Sequence, residues 1–115
     1  MAVDGIYSVT FRGAADWGMG LLMFHRGVIT GADASGVTFD GTYRDSDDSS
    51  AISAQVKMTV PPGTMLVQGF TSGSEAEEIP FSVRIPKNSM ERQDPVRIEL
   101  PPGPVNAIFR KLRDL

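Results

Sequence analysis

The chain of 115 residues contains no cysteine. That absence removes disulfide staples, thiolate metal sites and cysteine nucleophiles together, and it fits a reducing compartment. Histidine occurs once, as His25, so no second imidazole is present to begin a metal shell. Positive charge is also scarce: 11 Lys and Arg against 14 Asp and Glu leave a net charge of −3. This balance argues against a phosphate-binding surface, and so against DNA or RNA as a direct partner. No apolar run approaches the roughly 18 to 20 residues that cross a bilayer, so no membrane association is expected. The segment Met1 to Asp4 has no basic region leading into an apolar stretch. No signal peptide is therefore expected, and a cytoplasmic location is.

What the sequence has in quantity is punctuation, with 12 Gly and 8 Pro. That frequency favours many short elements over a few long helices. The apolar share of 41% and charged share of 22% are ordinary for a globular chain. At this length there is material for one core and not for two, so a single domain over residues 1–115 is expected.

Apolar residues at every second position mark half-buried strands. The clearest case is Ile52-Ser53-Ala54-Gln55-Val56-Lys57-Met58-Thr59-Val60, and the same alternation runs through Tyr7, Val9 and Phe11 and through Val37, Phe39, Gly41 and Tyr43. It recurs in Phe81, Val83 and Ile85, in Val96, Ile98 and Leu100, and in Val105, Ala107 and Phe109. Met19 to His25 and Val28 to Gly31 supply two more strands, joined at Arg26-Gly27 by what reads as a tight hairpin turn. Pro61 to Glu78 is ambiguous: Met65 to Phe70 reads as a short strand or a helical turn, and Gly73 to Glu78 as an exposed acidic loop. Val60-Pro61-Pro62-Gly63 and Leu100-Pro101-Pro102-Gly103 end strands with the same turn chemistry.

About eight short strands with no convincing helical spacing predict an all-β, antiparallel fold, since parallel pairing would need crossovers for which there is no room. One wet and one apolar face per strand is best hidden by closing the sheet into a small barrel. Alternation turns Tyr7, Phe11, Phe39, Tyr43, Phe81 and Phe109 inward, so these six are the candidate lining of a narrow cavity for an apolar small molecule. The strand from Met19 is different. Met19, Leu21 and Met23 take one face and Leu22 with Phe24 the other, so it is apolar on both sides. Such a strand needs a cover outside the barrel. A homodimer interface is expected here, with Leu22 and Phe24 as its candidate residues. Trp17, in the turn before this strand, reads as core.

No constellation marks catalysis. His25 stands without a nucleophile in the Gly-x-Ser-x-Gly setting, and no pair of acid and base candidates stands out. Gly18-Met19-Gly20 lacks the third glycine and the following helix of a dinucleotide loop, and more simply permits a strongly bent strand. Asp45-Ser46-Asp47-Asp48-Ser49-Ser50 is the densest acidic cluster. It lacks the Gly and closing Glu of a calcium loop, so no metal or other cofactor is implied. It reads either as a solvated turn or as a docking site that steers a basic partner.

The opening Asp4-Gly5-Ile6-Tyr7-Ser8-Val9-Thr10-Phe11, followed by Gly18-Met19-Gly20, Gly27-Val28-Ile29-Thr30-Gly31-Ala32-Asp33 and Gly41-Thr42-Tyr43, resembles the GrlR family. That family comprises negative regulators of type III secretion gene expression in attaching and effacing bacteria. The similarity is clearest over residues 4–48. It implies a lipocalin-like antiparallel barrel, dimeric, that sequesters a helix-turn-helix transcriptional activator instead of touching DNA. The family's acidic surface motif, Glu-Asp-Glu-Asp, falls on Asp45, Ser46, Asp47 and Asp48, three of which carry a carboxylate. The expected function is thus a non-enzymatic regulator that binds a protein through Asp45, Asp47 and Asp48. The rival is a barrel that binds a lipid or other apolar molecule.

Overall fold

Alternation at every second residue carries through to the three-dimensional structure, a computed structural model that describes residues 2–115. Its elements are β1 (Gly5–Arg12), β2 (Trp17–His25), β3 (Val28–Asp33), β4 (Thr38–Asp45), β5 (Ala51–Val60), β6 (Glu77–Pro86), α1 (Lys87–Arg92), β7 (Val96–Ile98) and β8 (Val105–Asp114). The strands form one antiparallel sheet in the order β6-β5-β4-β3-β2-β1-β8-β7, curled into a nearly closed barrel. The buried residues are those the alternation turned inward: Tyr7 and Val9 on β1, Ile52, Ala54, Val56, Met58 and Val60 on β5, and Val105, Ala107 and Phe109 on β8.

Tight turns keep the register. Arg26 and Gly27 have φ of 49° and 82°, the pair of positive values that a two-residue type I′ hairpin requires. They set His25 opposite Val28 and Leu22 opposite Gly31. Glycines then let the sheet coil. A Cβ on Gly31 would lie 2.1 Å from the Leu21 carbonyl oxygen, and one on Gly41 would lie 2.3 Å from that of Gln55. Backbones cross at these inward positions with no room for a side chain, as the sharp curvature of a small barrel demands.

Closure is incomplete between β6 and β7, which stand at the two ends of the strand order. The chemistry of these edges accounts for it. Pro80 and Pro86 lie in β6 opposite Lys57 and Ala51 of β5, and proline, having no N–H to give a further neighbour, is at home on an edge strand. β7 has only three residues. The helix α1 follows β6 and packs chiefly against β8, with Met90 buried beneath it. Helical spacing did not announce α1. With six residues and Met90 as its one apolar side chain, it is too short to show a period.

Other boundaries differ from the expectation. β6 begins at Glu77, before the expected Phe81, and Glu78 meets Lys57 at 3.6 Å. Residues 61–76 form neither a strand nor a helix. They are a folded loop with a single bridge, Met65 to Thr71. Its anchor is buried Ser72, whose hydroxyl donates to the Pro61 carbonyl oxygen at 2.5 Å and accepts from the Thr64 N–H at 2.8 Å.

The inward glycines generate a stability prediction. Gly31→Ala forces a backbone clash and is expected to cost about 2–3 kcal/mol, in the range of overpacked cores. Gly73→Ala, with no atom within 4 Å of the added methyl, should stay within about 0.5 kcal/mol of wild type. Urea unfolding of the two variants measures the difference, and equal midpoints would contradict the tight coil.

Candidate functional site

The barrel has two unlike ends. Chain direction places the β2–β3 turn, the β4–β5 turn, α1 and both termini at one end, and residues 13–16, 34–37, 61–76 and 99–104 at the other. The first end is closed by aromatic rings. Tyr7 meets Phe24 with centroids 5.2 Å apart and Phe109 at 6.3 Å, and Phe24 meets Tyr43 at 5.4 Å, all edge to face, the arrangement that ring quadrupoles favour. Tyr7 donates to the Val3 carbonyl oxygen at 2.6 Å.

Asp4 ties this end together. Its carboxylate accepts the Tyr43 hydroxyl on one oxygen and the Arg26 backbone N–H on the other at 3.2 Å, with His25 Nδ1 at 3.6 Å from that second oxygen. The Tyr43 hydroxyl, with the Arg26 N–H, holds the Asp4 carboxyl below its ordinary range. Burial first, and then the bond to Asp4, pushes Tyr43 up to about 12. Burial likewise pushes Tyr7 up. His25 therefore belongs to a structural clasp, although its buried Nδ1 makes no hydrogen bond among the described residues.

The second end is open. Between it and the aromatic plug lies a cavity of about 160 Å3. Phe11, Phe39, Phe81 and Phe109 line it, as the alternation predicts. Tyr7 and Tyr43 do not; they point inward but are spent in the plug, and this corrects their assignment to the cavity. Space remains above the plug because the wall there carries small side chains, Ala54 and Ala107, and a glycine, Gly18. Trp17, Met65 and Val67 stand around the mouth. Val67 fixes the loop over the rim, its carbonyl oxygen accepting the N–H groups of Ala15 and Asp16 at 2.9 and 3.0 Å.

The expected dimer residues also need correction. Phe24 is 1% exposed and Leu22 packs against the same core, because both lie on the inward side of β2. The outward side of that strand carries Trp17, Met19 and Leu21, each at least half exposed. Two-sidedness was legible in the sequence, but with both faces apolar the pattern does not say which is out. Trp17, expected in the core, stands on that exposed face at the rim.

Asp45, Asp47 and Asp48 lie together at the β4–β5 turn, at the closed end, and all three are exposed. They are not equivalent. Asp48 organises the turn: one of its oxygens accepts the Ser46 hydroxyl, the Ser50 hydroxyl and the Ser50 N–H at 2.8, 2.8 and 3.0 Å. The Ser50 bonds, followed by that of Ser46, hold Asp48 down to about 2. Asp45 pairs with Lys87 of α1 at 3.1 Å. Asp47 alone has no partner among the described residues. Ser46, Ser49 and Ser50 thus shape this turn locally.

Among the described residues, no group of three or more His, Asp or Glu could hold a metal ion, and no helix is long and apolar enough to cross a membrane. Comparison with protein-family models, with curated proteins and with solved structures finds no match.

The clasp generates a pH prediction. The folded Tyr43 holds its proton more tightly than an unfolded tyrosine, so its contribution to stability is whole below pH 10 and is lost as pH rises through about 12. Asp4 works in the opposite sense: its contribution holds above the ordinary carboxylate range and is lost as pH falls below it. Phenolate absorbance reads only two tyrosines in this chain. Both are expected to remain neutral in the folded protein at pH 10, and Asp4→Ala should bring the Tyr43 midpoint down. Ordinary midpoints for both in the folded wild type would contradict the plugged end.

Proposed function

We propose that this chain is a non-catalytic binding barrel whose cavity takes a small apolar molecule. The single observation that supports this reading is the apolar cavity of about 160 Å3, plugged at one end and open at the other. An apolar void of about 150 Å3 stays dry and accepts a benzene-sized guest. Ligand sites are in general concave, apolar and largely preformed.

A second reading is favoured by the outside of the barrel. Exposed apolar patches mark interaction surfaces, and the Trp17, Met19 and Leu21 side of β2 is one. In this reading the protein is a cytoplasmic regulator of the kind the GrlR resemblance implies. A second copy covers the outward face of β2, and Asp47, with its neighbours Asp45 and Asp48, meets the basic surface of a protein partner such as a helix-turn-helix activator. The two readings share Trp17 and Met19, which lie both on the outward face of β2 and in the cavity lining.

The cavity reading is tested by filling it. Ala54→Leu adds about three carbons at a wall position and is expected to weaken benzene binding at least about tenfold while raising, not lowering, the melting temperature of the ligand-free protein. Equal benzene affinity for variant and wild type would show that the cavity is not the site. The surface reading is tested by co-purifying a tagged chain from its native cells. Leu21→Glu should lose an untagged second copy, and the combined Asp45→Ala, Asp47→Ala and Asp48→Ala variant should lose a basic partner. Retention of both by the variants would remove this reading.

A further inference from the structure

Resting on the cavity reading, the polar chemistry of the mouth narrows the ligand class. Among the described residues, the only charged ones in the lining are Asp16 and Asp33, with no Lys, Arg or His there. Each carboxylate already uses one oxygen at home. Asp16 Oδ1 accepts the Trp17 N–H at 2.8 Å, and Asp33 Oδ1 accepts the N–H groups of Ser35 and Val37 at 2.8 and 3.1 Å. The Oδ2 of each makes no hydrogen bond among the described residues, so the mouth offers two fixed but unfilled acceptors.

The surroundings agree. Glu75, Glu77, Glu78 and Glu99 stand at the same end of the barrel, with Arg12, Lys57 and Arg97 as its bases. Two of those bases are engaged, Arg97 with Glu99 at 2.5 Å and Lys57 with Glu78 at 3.6 Å. The excess of carboxylates draws cations and repels anions at the entrance. Trp17 on the rim adds an indole face of the kind that attracts ammonium groups.

We infer that the cavity takes a cationic amphiphile: an aromatic or short alkyl body in the apolar chamber, with an amine-type head at the acidic mouth, where Asp16 and Asp33 each present a free oxygen. The chamber excludes long chains by volume, and the mouth disfavours fatty acids by charge. An ammonium can donate to a free Oδ2 of either acid, whereas a carboxylate has no donor to offer.

Three probes of one shape test this: phenethylammonium, phenethyl alcohol and phenylacetate, titrated calorimetrically at low and high salt. Phenethylammonium is expected to bind about tenfold more tightly than the alcohol, the scale of two exposed charge contacts. Phenylacetate should bind more weakly than either. Added salt should erode the preference for the ammonium. Asp16→Asn with Asp33→Asn keeps the Oδ1 acceptors that order the loops, and should bring ammonium affinity down to that of the alcohol without changing the latter. Equal affinities of the three probes for wild type, or a preference for phenylacetate, would overturn the cationic assignment while leaving an apolar site standing. Binding of none of them, the neutral alcohol included, would overturn both the assignment and the cavity reading beneath it.

Discussion

The interior of an eight-stranded barrel has a radius set by strand number and tilt, so what fills it is decided one inward residue at a time. Everything else in this molecule follows from how those positions are spent. Below the middle they carry Tyr7, Phe24, Tyr43 and Phe109, whose rings meet edge to face and leave no room. Above it they carry Gly18, Ala54 and Ala107 among larger neighbours, and the same circumference encloses a chamber. The inward glycines at 31 and 41 serve the same constraint from the backbone side. They allow the close strand crossings without which the sheet would stay open.

Much of this was legible because period two is robust in amphipathic strands. The segment from Ile52 to Val60 shows every inward residue buried, and the eight expected strands are all present. Where legibility failed, the cause lies in particular residues. β2 is apolar on both sides, so Leu22 and Phe24 read as outward when they are inward. Tyr7 and Tyr43 obey the alternation, but the pattern does not encode height along the barrel axis, and height separates plug from cavity. α1 has one apolar residue. The mouth acids Asp16 and Asp33 lie 17 positions apart, one just before β2 and one at the end of β3, and it is the β2–β3 pairing, with Gly20 opposite Asp33, that brings them to one rim. The acidic turn was legible as a cluster, but the use of Asp48 to order its own loop depends on side-chain geometry that spacing does not convey.

The polarity of the two ends divides labour. At the closed end most polar groups are paired within the fold, Asp4 with Tyr43, Asp45 with Lys87, and Lys111 with Asp114 and the Ala2 carbonyl oxygen, with Asp47 and the His25 Nδ1 as exceptions among the described residues. Exposed pairs of this kind add little individually. The Asp4 clasp differs because it closes over a half-buried tyrosine and joins residues 39 positions apart in the chain. At the open end the acceptors that matter are left half satisfied. Rigid closure at one end and unfilled valence at the other is the arrangement expected when one end is scaffold and the other receives something.

The chamber itself carries the last step. At about 24 cal/mol for each Å3 of unfilled apolar volume, a void of 160 Å3 corresponds to about 4 kcal/mol of stability forgone, an upper bound because the mouth is open. That is a large share of the 5 to 15 kcal/mol typical of small domains. Larger aliphatic residues at positions 54 and 107 would keep the strand pattern and shrink the void. A ligand present at about 100 times its dissociation constant returns about 2.7 kcal/mol to the folded state, most of what the void removes. A barrel of this build is therefore expected to be markedly more stable when occupied than when empty, which couples its folded population to the concentration of whatever it binds.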